Sequence, residues 1–151
     1  MNKEIKYIPG DLVMTNGVPL STAKDVVYRV TSSDPSKTLK LDDVTVLKGV
    51  VCLENIEGAE FGDKGFLLGD CCAWVKDIVP IPLIPEILSK NGWELDDATW
   101  IFKKGNIRIF ILLDDETYAV YLLGVRVLEF HFIHQLQHLL FGLGINHQME
   151  V

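Results

Sequence analysis

Long apolar runs are missing from this chain. The longest stretches reach about seven residues, far short of the roughly 20 that a membrane helix requires. The first residues, Met1-Asn2-Lys3-Glu4-Ile5-Lys6, are charged and lead into no apolar segment of signal-peptide type. A cytoplasmic protein with no membrane partner is the expectation. Positive charge is scarce as well. Net charge is −7, and no Lys/Arg run is longer than Lys103-Lys104. Residues 1–79 carry nine Lys/Arg against twelve Asp/Glu, and residues 80–151 carry five against nine. Nucleic-acid binding draws on phosphate neutralisation, so this balance argues against it.

Cysteine is limited to Cys52, Cys71 and Cys72. An odd count containing one adjacent pair is not a disulfide framework. Adjacent strand residues point to opposite faces, so Cys71 and Cys72 are not expected to share a ligand. All three read as reduced and mostly packed thiols. The sequence calls for no cofactor. It holds no Gly-Lys-Ser/Thr loop, no His-Glu-x-x-His and no Ser/His/Asp arrangement with supporting context.

What is present reads as a globular protein, 48% hydrophobic and 23% charged. A chain of 151 residues is enough for one ordinary domain or two very small ones. Residues 1–79 read as β-rich. Leu12-Val13-Met14 leads to a turn at Asn16-Gly17, and Val26 to Thr31 is rich in strand formers. Thr38–Leu47 holds one broken strand or two short ones around Asp42-Asp43, and Val50–Glu54 forms another. Gly58, Gly62, Gly65 and Gly69 suggest an irregular β-loop, since no phosphate-loop context surrounds them. Cys71–Val79 closes this half, which the pattern predicts to be a small β-barrel or curled sheet.

Pro80, Pro82 and Pro85 mark a boundary. Pro85 suits the first position of a helix running to Lys90, with Asn91-Gly92 as its stop. A three-stranded meander is expected next: Thr99–Lys103, the Gly105-Asn106 turn, Ile107–Leu113, the Asp114-Asp115-Glu116 turn, and Thr117–Leu123. Leu128–Leu143 has helical periodicity, with Leu128, Phe132, Ile133, Leu136, Leu139, Leu140 and Leu143 on one arc. The expected fold is therefore α+β: a barrel-like half, 1–79, and a helix–three-strand–helix half, 80–151, packed as one rigid unit.

Two segments carry a resemblance. Ile81-Pro82-Leu83-Ile84-Pro85-Glu86-Ile87-Leu88, followed by Asn91-Gly92-Trp93, resembles an Ile-Pro-Leu-Thr-Pro-Glu-Ile-Leu, then Gly-Phe, pattern. Phe132-Ile133-His134-Gln135-Leu136-Gln137-His138-Leu139 resembles Tyr-Val-His-Gln-Leu-Gln-Asn-Leu. Together they resemble a family of small proteins of gut Bacteroides and of their phages and mobile elements. The resemblance spans roughly residues 75–143 and implies a source but no catalytic residues. Ile84, Trp93 and His138 depart from the pattern, which places Thr, Phe and Asn there.

His131, His134 and His138 fall on one face of the anticipated last helix, the spacing at which imidazoles on adjacent turns can share a metal ion. The plainer reading is a polar helix face on which His134 and Gln137 satisfy backbone groups nearby. The pairs Asp42-Asp43, Asp96-Asp97 and Asp114-Asp115 read as turn residues. Trp74, Trp93 and Trp100 are expected at the junction of the halves, as interaction residues. Three functions follow. The first is a non-enzymatic interaction module with a protein partner or self-association. The second is a metal-dependent enzyme using the three histidines. The third is a single-strand nucleic-acid binder with a stripe of Lys24, Arg29, Lys37, Lys40 and Lys48.

Overall fold

The computed structural model describes residues 7–19, 22–56, 71–112, 114 and 116–151. The four clustered glycines, Gly58 to Gly69, and Asp115 lie outside the described residues. The chain divides into two compact units, Met1–Ile81 and Pro82–Val151.

The N-terminal unit is an open five-stranded antiparallel sheet. Its strands are β1 (Leu12–Thr15), β2 (Tyr28–Lys40), β3 (Val46–Asn55), β4 (Cys71–Trp74) and β5 (Ile78–Pro80), in the order β4-β3-β2-β1-β5. The barrel anticipated for this half does not form: β4 and β5 end the order as separate edges, and the described residues contain no closed barrel. Alternation along the strands builds the core. Val13, Tyr28, Val30, Val51, Leu53, Ala73 and Ile78 are buried in one cluster with Tyr7 and Val26. The Tyr28 hydroxyl accepts a hydrogen bond from the Ala23 amide at 2.9 Å, which satisfies its polar end. Burial, reinforced by the Asp11 carboxylate, pushes the Tyr7 phenol up to about 12.

The C-terminal unit is a second five-stranded antiparallel sheet, preceded and followed along the chain by a helix. Helix α1 is Pro85–Lys90. The strands that follow are β6 (Glu94–Asp96), β7 (Ile101–Lys104), β8 (Ile107–Ile111), β9 (Tyr118–Leu122) and β10 (Val125–Phe130), paired in sequence order. Helix α2 is Ile133–Gly142. The α+β reading is thus corrected: the described chain is mostly β, and its meander has five strands where three were expected.

The error has a local cause. Leu128 matches the helical arc, yet Val125–Phe130 pairs with β9 from Val125↔Leu122 to Phe130↔Tyr118. Leu123 and Gly124, with φ of 51° and 80°, make the two-residue turn that starts the hairpin. A Leu at positive φ is uncommon, so the sequence signal there is only Gly124. Strand β6 was missed because it is three residues long and polar.

Helix α2 begins after Phe132. The Gln135 carbonyl oxygen reaches back to accept from the amides of His131 and Phe132, at 2.9 and 3.0 Å, in place of a Ser or Asp cap. Ile133, Leu136 and Leu140 are buried, and Leu140 lines one cavity of about 350 Å³ with Ile107 and Leu122. The extended segment before α1 bridges Pro82 to Phe132, and the Leu83 amide donates to the His131 carbonyl at 2.9 Å. The buried Tyr118 hydroxyl donates to the Leu83 carbonyl at 3.1 Å. At the far end of α1, Asn91 exchanges two hydrogen bonds of 2.7 Å with the backbone of Glu150, beside the buried Met149.

Candidate functional site

Strands β2 and β3 outrun their neighbours. β1 pairs with β2 only at Tyr28 and Arg29, and β4 pairs with β3 only from Val50 to Leu53. Beyond these positions Thr38, Leu39 and Lys40 face Lys48, Leu47 and Val46 as a two-stranded ribbon, and no third strand flanks it among the described residues. Two local features set the ribbon off from the sheet. The register jumps from Asp34↔Val50 to Thr38↔Lys48, leaving two extra residues on β2. Asp34 orders them by accepting from the Ser36 amide and hydroxyl, at 3.1 and 2.7 Å. Pro35 offers no ladder donor there. Opposite this bulge stands Gly49, at φ 86°.

The tip is tied by Asp42, whose Oδ1 accepts from the amides of Val44 and Thr45 at 2.8 and 2.6 Å. Those two amides hold its carboxyl below the usual carboxylate value. The Leu41 amide donates to the Thr45 carbonyl at 2.9 Å, which closes the turn. An ordered tip therefore carries Leu39, Leu41, Val44 and Val46 into water. Val44 is 92% exposed and Leu41 58%. Ladder parity puts Leu39 on one ribbon face and Val46 on the other, with Leu41 and Val44 in the turn beyond the ladder. From Asp34 to Lys48 there are three acidic residues (Asp34, Asp42, Asp43) and three basic ones (Lys37, Lys40, Lys48), so the ribbon is electrically neutral. Short separate strands were expected here, whereas β2 continues from Tyr28 to Lys40 and β3 from Val46 to Asn55, and this surface was not foreseen. The signal was the alternation Thr38-Leu39-Lys40-Leu41, which reads equally well as a strand with one buried face.

The histidines do not share one helix face. His131 precedes α2, and its Nδ1 lies 3.3 Å from the Glu116 carbonyl and 3.5 Å from Thr117 Oγ1. It lines a cavity of about 420 Å³ with Pro82, Leu83, Ile84, Glu116 and Phe132. His134 and His138 are on adjacent turns with ring centroids 5.4 Å apart, and His134 is buried at 5% exposure. His134 joins Leu136 and Gln137 on the buried side of α2. Gln137 donates to the His147 carbonyl at 3.0 Å. No group of three His, Cys, Asp or Glu placed to hold a metal ion occurs among the described residues.

The basic stripe is partly consumed by ion pairs: Arg29 with Glu54 at 3.2 Å and Lys40 with Asp43 at 3.9 Å. The acidic pairs serve turns. Asp96 accepts from the Ala98 amide and pairs with Lys103, at 3.0 and 3.2 Å. Asp114 accepts from the amides of Glu116 and Thr117 and from the Thr117 hydroxyl. The tryptophans differ in setting. Trp93 is buried, with Lys104 Nζ 5.7 Å from its ring centroid. Trp74 is half-buried on β4 opposite Val50. Trp100 is 66% exposed in the β6–β7 loop at φ 57°.

Among the thiols, Cys52 is half-buried and Cys72 exposed, which corrects the packed reading for Cys72. No helix among the described residues is long and apolar enough to cross a membrane. No protein-family model, curated protein or solved structure matches the chain.

Proposed function

We propose that the chain is a non-enzymatic protein-interaction module, an accessory protein of the phage or mobile-element kind that its two motifs resemble. It engages a protein partner through the β2–β3 ribbon. The observation that carries this reading is the ordered, neutral tip with aliphatic side chains on both faces. Covering a Leu or Val side chain is worth about 1.5–3 kcal/mol, so a tip that leaves four of them in water gains from a partner that takes it into a cleft. Nucleic acid is the poorer occupant, because the neutral ribbon offers phosphates no net attraction.

Tagged protein and a Leu41→Ser/Val44→Ser variant, each incubated with extract of the cells that express it, test the reading. A protein retained by the parent and reduced at least about tenfold by the variant supports it. A dimer in sedimentation that the same variant dissolves also supports it, with a second copy as the partner. Equal capture by both proteins overturns it, as does salt-sensitive retention of a single-stranded oligonucleotide that depends on Lys37, Lys40 and Lys48.

A further inference from the structure

Antiparallel pairing of β3 with β4 sets Cys52 directly opposite Cys72. Their neighbours in the ladder, Val51, Leu53 and Ala73, are buried, so alternation turns Cys52 and Cys72 together to the outer face of the sheet. The two Sγ atoms are 2.9 Å apart, Cys52 half-buried and Cys72 exposed. We propose that Cys52 and Cys72 are a reversible thiol–disulfide couple, a site of oxidative modification on the N-terminal unit.

The site favours a bond that forms and reopens. Residues directly opposite in antiparallel strands hold their Cβ atoms about 4.5–5.5 Å apart, which meets the upper end of the roughly 3.5–4.5 Å that a disulfide spans. β4 can make the small approach that closure needs because it is a four-residue strand at the edge of the order. A bond with an exposed sulfur is more easily reduced than a buried structural one. Cys71 stands one ladder step away, opposite Leu53, and is not part of the couple.

The oxidant is a low-molecular-weight disulfide, RSSR. The Cys72 thiolate, the more accessible of the two, attacks one sulfur of RSSR. The S–S bond breaks and RS⁻ leaves, giving a mixed disulfide on Cys72. The Cys52 thiolate then attacks the Cys72 sulfur and expels the second RS⁻. The two thiol protons pass through solvent to the two leaving thiolates. The protein has lost two protons and two electrons in total, and RSSR has become two RSH.

This inference is independent of the ribbon's role. The test is to equilibrate the full chain with oxidised glutathione, alkylate the remaining thiols and map the peptides. The parent and Cys71→Ser are expected each to lose two alkylatable thiols, to yield a Cys52–Cys72 cross-linked peptide and to recover both thiols in dithiothreitol. Cys52→Ser is expected to stop at glutathione on Cys72. Three alkylatable thiols in the oxidised parent, a bridge that includes Cys71, or bridges only between chains would each overturn the proposal. The mapping of the parent needs no variant to fold.

Discussion

A Cβ placed on Gly49 would stand 2.8 Å from Val75 Cγ2, and the Gly49 backbone sits at φ 86°. Space and backbone thus demand glycine independently at the point where the ribbon leaves the sheet. Gly49→Ala should destabilise the N-terminal unit by about 1–3 kcal/mol. The urea midpoint should fall with little change in slope, and an unchanged midpoint would remove the steric argument.

Gly142 makes the opposite case. It is the last residue of α2, its φ is not positive, and a Cβ there meets nothing within 4 Å. Gly142→Ala should therefore stabilise the protein, by about 0.4–1 kcal/mol, through the unfolded chain's lost freedom. Thermal unfolding of the two alanine variants side by side should move in opposite directions.

Leu136 and Leu139 separate the two faces of α2. Leu136 is fully buried, whereas Leu139 is only partly so. Leu136→Ala should cost about 2–5 kcal/mol, in the range of core truncations that leave a cavity, and Leu139→Ala distinctly less. Denaturant titration of the pair checks the assignment, and equal losses would place the helix rotated from its described face.

Acid sensitivity should come from the turns. Hydrogen bonds hold Asp34, Asp42, Asp96 and Asp114 below the ordinary carboxylate value of 3.8, the leading donors being the Ser36 hydroxyl, the Val44 amide, the Lys103 ammonium and the Thr117 hydroxyl respectively. A carboxyl that binds its proton less tightly in the folded chain stabilises the fold above its unfolded value, and that contribution fades as pH falls through the folded value. Stability should decline below about pH 4. Asp42→Asn/Asp114→Asn should flatten the decline in a pH series of unfolding midpoints, since an amide keeps the turn acceptors without titrating.

How far these features were legible depended on what each residue could reveal locally. Pro85 and Asn91-Gly92 bracket α1 because helix starts and stops use local chemistry. Gly105, at φ 57°, opens the β7–β8 turn for a similar reason. Leu128 misled because its helical phase with Phe132 and Ile133 is real, while its pairing with Val120 across a bulge is a non-local fact. The ribbon was hidden for the same kind of reason. Leu39 and Leu41 look like core residues until the reach of β1 and β4 is known. Likewise, Cys52 and Cys72 are 20 residues apart in sequence, and only the β3–β4 register brings them together. The burial of His134 was not legible either, because periodicity alone does not say how wide the covered face of a helix will be.

The ribbon tip can be interrogated in place. A photoreactive amino acid substituted for Val44, with one at Lys24 as the control, should, on illumination in the expressing cells, give a discrete protein adduct from position 44 and none from 24. That adduct should vanish when Leu41 is changed to Ser. Absence of any adduct at position 44, or equal labelling from the two positions, would contradict the claim that this exposed aliphatic tip is where the protein meets its partner.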